Sequence, residues 1–188
     1  TKRYLKYVDF LKRDTKKILF SAGIIQEAGS FFMVDLALSM PEYQFIFALR
    51  QFNQKSEREL ALLQWYIEEK WVKNIEIRRN IDKMEELLWE VGALILPLQD
   101  IRVKMLIPVA ILEAMARGTI CFVSDLPNLK KLVTHTHNAL VFSYSDTEQL
   151  REMIEKYGSD EAIAKNAYEF AKNYPSFEQI AEKYYQLI

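Results

Sequence analysis

Residues 93–124 read ALILPLQDIRVKMLIPVAILEAMARGTICFVS, and this stretch holds the pattern that decides the fold. One apolar run, 93–97, ends at a proline, and a second, 119–124, follows a glycine. Between them, Pro108 opens a segment with helical spacing that extends to Arg117, since proline suits a first helical turn and glycine suits a helix end. Two continuously apolar strands around a helix predict a parallel crossover unit.

The same alternation extends over the rest of the chain. Further strands are predicted at 17–23, 43–49, 74–78 and 138–142, and further helices at 2–13, 29–40, 56–71, 82–90 and 127–133. Three more helices complete the chain, with Asp146 and Ser159 as N-caps of the first two and a Ser176–Gln179 capping box on the last. The pattern predicts an α/β fold, a doubly wound parallel Rossmann-like sheet with helices on both faces and the fourth strand central. Ligands of such sheets bind at the carboxyl ends of the strands, so site residues belong in the loops that follow strands.

Composition excludes several classes of protein. The chain has 188 residues, of which 50% are hydrophobic and 27% charged, as in globular domains. A net charge of −1 gives no support for a nucleic-acid partner, and the longest apolar run is too short to span a membrane. The single cysteine, Cys121, lies in an apolar run and is interpreted as a buried thiol in a reducing compartment, which predicts a cytoplasmic location.

The first seventeen residues are basic and have two interpretations. They fit either peripheral contact with an anionic membrane surface or a solvated helix face that leads out of a missing domain. The second is favoured because charge runs are usually solvated. We therefore assign 1–15 to a leading helix or linker and 16–188 to the sheet domain.

The helical segment resembles the donor site of the family-four, or group 1, glycosyltransferases. In that family a proline or glycine opens a helix, a Leu-Glu-Ala-Met-Ala run follows, and a glycine ends it; residues 112–116 match the run and Gly118 follows it. Other stretches agree in order: 124–129 resembles the loop after the fifth strand, 138–142 resembles Asn-Gly-Leu-Leu-Val, and 177–185 resembles the closing helix.

The resemblance implies a GT-B enzyme, in which two Rossmann-like domains enclose a cleft and the second domain, represented here, binds a nucleotide-diphosphate sugar. Transfer would retain the anomeric configuration and need no metal or other cofactor, and the acceptor would be held by an N-terminal domain missing from this chain. Glu113 would be the second acid of the family's Glu-x7-Glu motif and accept from the ribose hydroxyls. The amides of Val109 and Ala110, just after Pro108, would face the phosphates.

The sequence departs from the family at the other charged positions. Met105 stands where the first glutamate of the motif belongs, and Gly23 and Ala28 stand where the family has an arginine and a lysine that neutralise the diphosphate. Glu27 adds a negative charge to the same loop. The predicted replacements are Arg102 and Lys104 in the loop after the fourth strand, with Arg50, Arg78 and Arg79 near the same edge.

Three functions stay open at this point. The leading one is the donor-binding part of a hexosyltransferase, expected to be inactive as an isolated chain. The alternatives are a degenerate, non-catalytic GT-B domain that binds or stabilises a partner transferase, and an unrelated doubly wound binding module. His135 and His137 are interpreted as surface-loop residues and not as a zinc site. The three tryptophans are interpreted as core or domain-contact residues, Trp65, Trp71 and Trp89.

Overall fold

The computed structural model describes residues 13–50, 53–104 and 108–175, together with positions 179, 182 and 185. Its sheet has six parallel strands in the order β3-β2-β1-β4-β5-β6, which confirms the predicted α/β, doubly wound architecture. Strands β1 and β4 share the centre. The strands are β1 Asp14–Phe20, β2 Gln44–Leu49, β3 Ile75–Arg79, β4 Val91–Leu96, β5 Ile120–Ser124 and β6 Leu140–Phe142.

Helices cover both faces of this sheet, as the continuously apolar strands require. α1 packs beside α2 and α5, whereas α4 packs beside α6. Every residue of β4 and β5 is buried, and Cys121 lies among them as a buried thiol. The helices are α1 Ser30–Ser39, α2 Gln54–Glu69, α3 Met84–Glu90, α4 Val109–Met115, α5 Thr147–Tyr157 and α6 Glu161–Asn173.

The helix predicted at 127–133 is wrong. The segment forms consecutive turns, and the buried side chain of Asn138 hydrogen bonds to backbone groups at its end. The Asn138 carboxamide donates to the Leu132 carbonyl at 3.2 Å and accepts from the Thr134 amide at 2.7 Å. Asn138 is thereby drawn into the loop, which explains why β6 begins at Leu140 and not at 138 as predicted.

Of the two predicted helix caps that lie within the described residues, one is confirmed and one is wrong. Asp146 accepts from the Gln149 amide at 2.8 Å and caps α5, as predicted. The cap of α6 is Asp160 and not Ser159, since the Asp160 carboxylate accepts from the amides of Ala162 and Ile163 at 2.9 and 3.1 Å. The Ser176–Gln179 capping box and nearly all of the predicted helix at 2–13 lie outside the described residues.

The tryptophans do not belong to the core. Trp65 is 56% exposed and Trp71 is 80% exposed, so a core role is wrong for both. Trp89 is at the surface too, with its ring against the guanidinium carbon of Arg117 at 4.4 Å. Trp71 also adopts a positive φ of 55°, at the position just after α2 where glycine is usual.

Candidate functional site

The carboxyl ends of β1 and β4 bring two loops together at the centre of the sheet. The loop after β1, 21–29, leads into α1, and the loop after β4, 97–108, leads into α4. Gly29 has φ 89°, and a Cβ there would lie 2.3 Å from the Pro97 carbonyl oxygen. Only glycine fits this contact, because a Cβ would also lie 2.4 Å from the Cγ atom of Pro97.

Glu113 lies on α4, the helix that begins at this edge. Its side chain is half-buried, and no described residue hydrogen bonds to it or forms an ion pair with it. Pro108 is the extended N-cap residue and not the first helical residue, and its side chain caps nothing. Among the described residues, no group accepts from the amides of Val109 and Ala110. The groups that the resemblance assigns to ribose and phosphate are therefore near one helix start and unengaged within the described chain.

The end of α4 is held by the predicted glycine. Gly118 has φ 66°, its amide donates to the Met115 carbonyl at 2.8 Å, and the Thr119 amide donates to the Ala114 carbonyl at 2.9 Å. These two bonds make a Schellman motif, which stops the helix at the amino edge of the sheet. The chain can then enter β5 directly, and the start of α4 therefore lies at the opposite, carboxyl edge.

A polar link that sequence reasoning missed joins three loops at the carboxyl edge. The backbone amide of Gln99 donates to the Glu27 carbonyl at 3.0 Å, and its side-chain Nε2 donates to the Gln26 carbonyl at 3.2 Å. The same Nε2 donates to the hydroxyl of Tyr144, in the loop after β6. The only available signal was position, since each of these residues follows a strand.

Arg102 does not stand free at this edge. Its guanidinium donates to the Asp100 carboxylate at 2.7 and 3.0 Å, and its backbone amide donates to the same carboxylate at 2.7 Å. These hydrogen bonds hold the pKa of Asp100 below its ordinary value and raise the pKa of Arg102. Arg102 remains 84% exposed, so the pair is a surface ion pair whose positive charge is largely balanced.

The other predicted cations do not form one cluster at the carboxyl edge. Arg78 donates to Glu76 at 2.7 Å and to Glu90 at 2.9 Å, and Glu90 immediately precedes β4, so this guanidinium reaches toward the amino edge. It does not join a cluster at the carboxyl edge. Arg50 follows the end of β2, Arg79 is the last residue of β3, and both are exposed.

The structure describes some, but not all, of the positions where the sequence differs from the family's charged residues. Gly23 has φ 140° and borders Ala28, whose side chain is buried, so neither position presents a cation. Met105 and the side chain of Lys104 lie outside the described groups. Glu27 is exposed at the edge, as the sequence implied.

A cavity of about 170 Å³ lies at the opposite edge of the sheet. Arg13 lines it and donates to the Thr119 hydroxyl at 2.8 Å, and burial together with the neighbouring Arg117 lowers the pKa of Arg13 to about 10. The Nε and Nη2 atoms of Arg13 are fully covered, so they are out of reach of a ligand in the cavity. In this fold ligands bind at the other edge, and we give the amino-edge cavity no role in the site.

The two histidines serve the loop that contains them. The Nδ1 atom of His135 accepts from the Val141 amide at 2.9 Å, and the carbonyl of His137 accepts from the Asn166 side chain at 3.1 Å. Within the described residues, no group of three potential ligands is arranged to hold a metal ion.

Comparison with known proteins defines the family. The family model "Glycosyl transferases group 1" matches residues 47–160, more than half of the chain, including β4, α4 and Glu113. The chain therefore belongs to the group 1 glycosyltransferases, as its sequence pattern predicted. No curated protein sequence matches it significantly.

Solved structures have the same fold at low sequence identity. HepE from Anabaena, solved in complex with UDP-glucose, is 15% identical with a TM-score of 0.80 over 90% of this chain and 48% of its own. Sucrose-phosphate synthase from Thermosynechococcus elongatus is 19% identical with a TM-score of 0.74, over 91% of this chain and 44% of its own. The chain thus spans about half the length of these relatives and corresponds to one half of the GT-B architecture.

A further neighbour is itself a single domain. The C-terminal domain of LpcC, a group 1 glycosyl transferase from Francisella tularensis, is 13% identical with a TM-score of 0.70, over 84% of this chain and 85% of its own.

No helix among the described residues has the length and apolar character needed to cross a membrane.

Proposed function

We propose that this chain is the donor-binding half of a group 1 glycosyltransferase and that it binds a nucleotide-diphosphate sugar at the carboxyl edge of its sheet. The observation that carries the proposal is Glu113, a half-buried carboxylate without a described partner, in the segment matched by the family model. A carboxylate that accepts from two vicinal ribose hydroxyls gains hydrogen bonds that it lacks in the free protein. UDP complexes of HepE support a uridine diphosphate as the first ligand to test.

The diphosphate is proposed to meet the start of α4. The amides of Val109 and Ala110 offer donors there, and Arg102 and Lys104, in the loop that leads into α4, are the candidates for compensating charge. Because Arg102 is already paired with Asp100, its contribution would require that pair to open or to share the anion. The proposed reaction is transfer of a sugar, with retention, to an acceptor bound by a preceding domain. The residues before β1 would form the connection, and the boundary expected after residue 15 is two residues too late, because β1 begins at Asp14.

Calorimetric titration with UDP, ADP and GDP tests the binding role. We expect one of the three to bind, and Glu113→Gln to weaken it by about 1–3 kcal/mol, the scale of a charge-assisted hydrogen bond. Glu161→Gln is the matched control, since Glu161 is exposed in the first turn of α6 at the other edge. Equal binding by wild type and Glu113→Gln would contradict the assignment of Glu113.

A specific observation favours a second candidate function, a non-catalytic domain that binds or stabilises a partner transferase. Gly23 and Ala28 present no cation, and Arg102 is neutralised by Asp100, so charge stabilisation of a diphosphate leaving group is weak among the described residues. Absence of nucleotide binding in the millimolar range, by this chain and by the longer protein, would favour this candidate.

A further inference from the structure

Gln99 is fixed in place by two backbone carbonyls of the loop after β1. Its backbone amide is bonded to the Glu27 carbonyl at 3.0 Å and its Nε2 to the Gln26 carbonyl at 3.2 Å, while both donors belong to the loop that leads into α4. The side chain is exposed, and no described residue donates to its Oε1. The carboxamide therefore presents a preorganised acceptor at the carboxyl edge.

Tyr144 presents the complementary donor. Its ring stacks on Phe32 with the centroids 4.9 Å apart, and Phe32 in turn stacks on Phe142 at 6.1 Å. Since the Tyr144 hydroxyl accepts from Gln99 Nε2, its own proton is not used in that bond, and no described residue accepts it. A held hydroxyl with a spare proton and an open face is suited to a ligand oxygen.

The charge around this pair is negative. Burial raises the pKa of Tyr144, the hydrogen bond from Gln99 lowers it, and the carboxylates of Asp35 and Glu27 raise it. Glu27 is exposed beside Gln99, and the nearby Arg102 has its charge balanced by Asp100. A carboxylate brought to this place would meet like charge without a described free cation, whereas a neutral hydroxyl would find both donors and acceptors.

We infer that Gln99, Tyr144 and Glu27 receive the hydroxyls of an uncharged hexose and select against an acidic sugar. The inference rests on the proposed function, because it places the sugar of the donor on the same loop that leads into α4. The Tyr144 hydroxyl donates to a sugar oxygen, while Gln99 Oε1 and the Glu27 carboxylate accept from sugar hydroxyls. This arrangement assigns specificity to residues outside the family's charged motif.

Titration with UDP, UDP-glucose and UDP-glucuronic acid tests the inference. We expect UDP-glucose to bind about 2- to 10-fold more tightly than UDP, the range of one or two neutral hydrogen bonds, and more tightly than UDP-glucuronic acid. Should ADP or GDP be the nucleotide that binds, the glucose and glucuronic acid esters of that nucleotide replace the uridine pair.

Two substitutions separate recognition from folding. Tyr144→Phe keeps the ring on Phe32 and should bring the affinity for UDP-glucose closer to that for UDP, with the affinity for UDP itself unchanged. Glu27→Gln should bring UDP-glucuronic acid close to UDP-glucose. Tyr157→Phe, at the amino-edge end of α5, is the matched control and should change neither ligand.

The failures of the two proposals are distinguishable. If UDP binds but the glucose and glucuronic acid esters bind equally, or Tyr144→Phe leaves UDP-glucose unaffected, the sugar inference is overturned and the proposed function stands. If no nucleoside diphosphate and no sugar ester binds, the proposed function is overturned and this inference with it.

Discussion

Two charged side chains near the same loop have different neighbours, and this difference decides what each can do. Glu113 has no described partner, so its carboxylate is available to a ligand. Arg102 lies two residues from Asp100, and three hydrogen bonds to that carboxylate occupy it. Counting cations in a loop therefore overestimates the charge that a diphosphate would meet.

Gly29 gives a residue-scale prediction for stability. Gly29→Ala should lower the free energy of unfolding by about 2–4 kcal/mol, because an alanine would have a left-handed φ and a Cβ against the Pro97 carbonyl. Gly23→Ala is the control in the same loop: its φ is also positive, but its Cβ would find ordinary contact at 3.5 Å. Urea unfolding of both variants should show the larger loss for Gly29→Ala; equal losses would contradict a cost that comes from the contact between Gly29 and Pro97.

At the scale of elements, local hydrogen bonds decide where helices begin and end. Asp160 begins α6, although the serine before it has equal intrinsic aptitude as a cap. Asn74 shows the same effect at the start of β3, since its Nδ2 lies 2.9–3.0 Å from the carbonyls of Ala37, Met40 and Tyr43 and ties the end of α1 to the sheet. Intrinsic propensity indicates which residues can cap a helix, and the positions of neighbouring backbone groups determine which of them does so.

The cap of α6 supplies the corresponding test. Asp160→Ala should lower the free energy of unfolding by about 1 kcal/mol, because two amides of the first turn lose their acceptor. Ser159→Ala should change it by no more than about 0.5 kcal/mol, as expected for an exposed residue outside the cap. Chemical denaturation measures both, and a larger effect at Ser159 would contradict the structural assignment.

At the scale of the whole molecule, the chain corresponds to one half of the GT-B architecture. The structural match with HepE includes 90% of this chain but only 48% of the HepE chain. The proposed donor contacts lie on one open sheet edge, where bulk water reaches Glu27, Gln99 and Arg102. Sugar transfer needs an oriented nucleophile and exclusion of water. Under the proposed function, both require a second domain opposite this edge.

We therefore expect the chain alone to bind nucleotide without transferring sugar. Incubation with UDP-glucose should release no UDP above a heat-inactivated sample, whereas the longer protein with both halves should release it when acceptor is present. Steady release of UDP by the 188-residue chain would contradict the prediction. A Glu113→Gln sample serves as the control for release that does not depend on the donor site.

The sequence by itself determined the alternation of strands and helices, the parallel sheet, the family and the helix that bears Glu113. Those features follow from hydrophobic periodicity and from proline and glycine at the ends of α4, which act within a few residues of the chain. Tertiary structure alone decided that 127–133 forms turns, that Asp160 caps α6 and that Trp65 and Trp71 are exposed. It also decided that Arg78 turns toward Glu90 and that Gln99 meets Tyr144 across 45 positions of sequence. Each of these depends on which groups approach through space, and side-chain hydrogen bonds are satisfied by the nearest partner, whatever its distance along the chain.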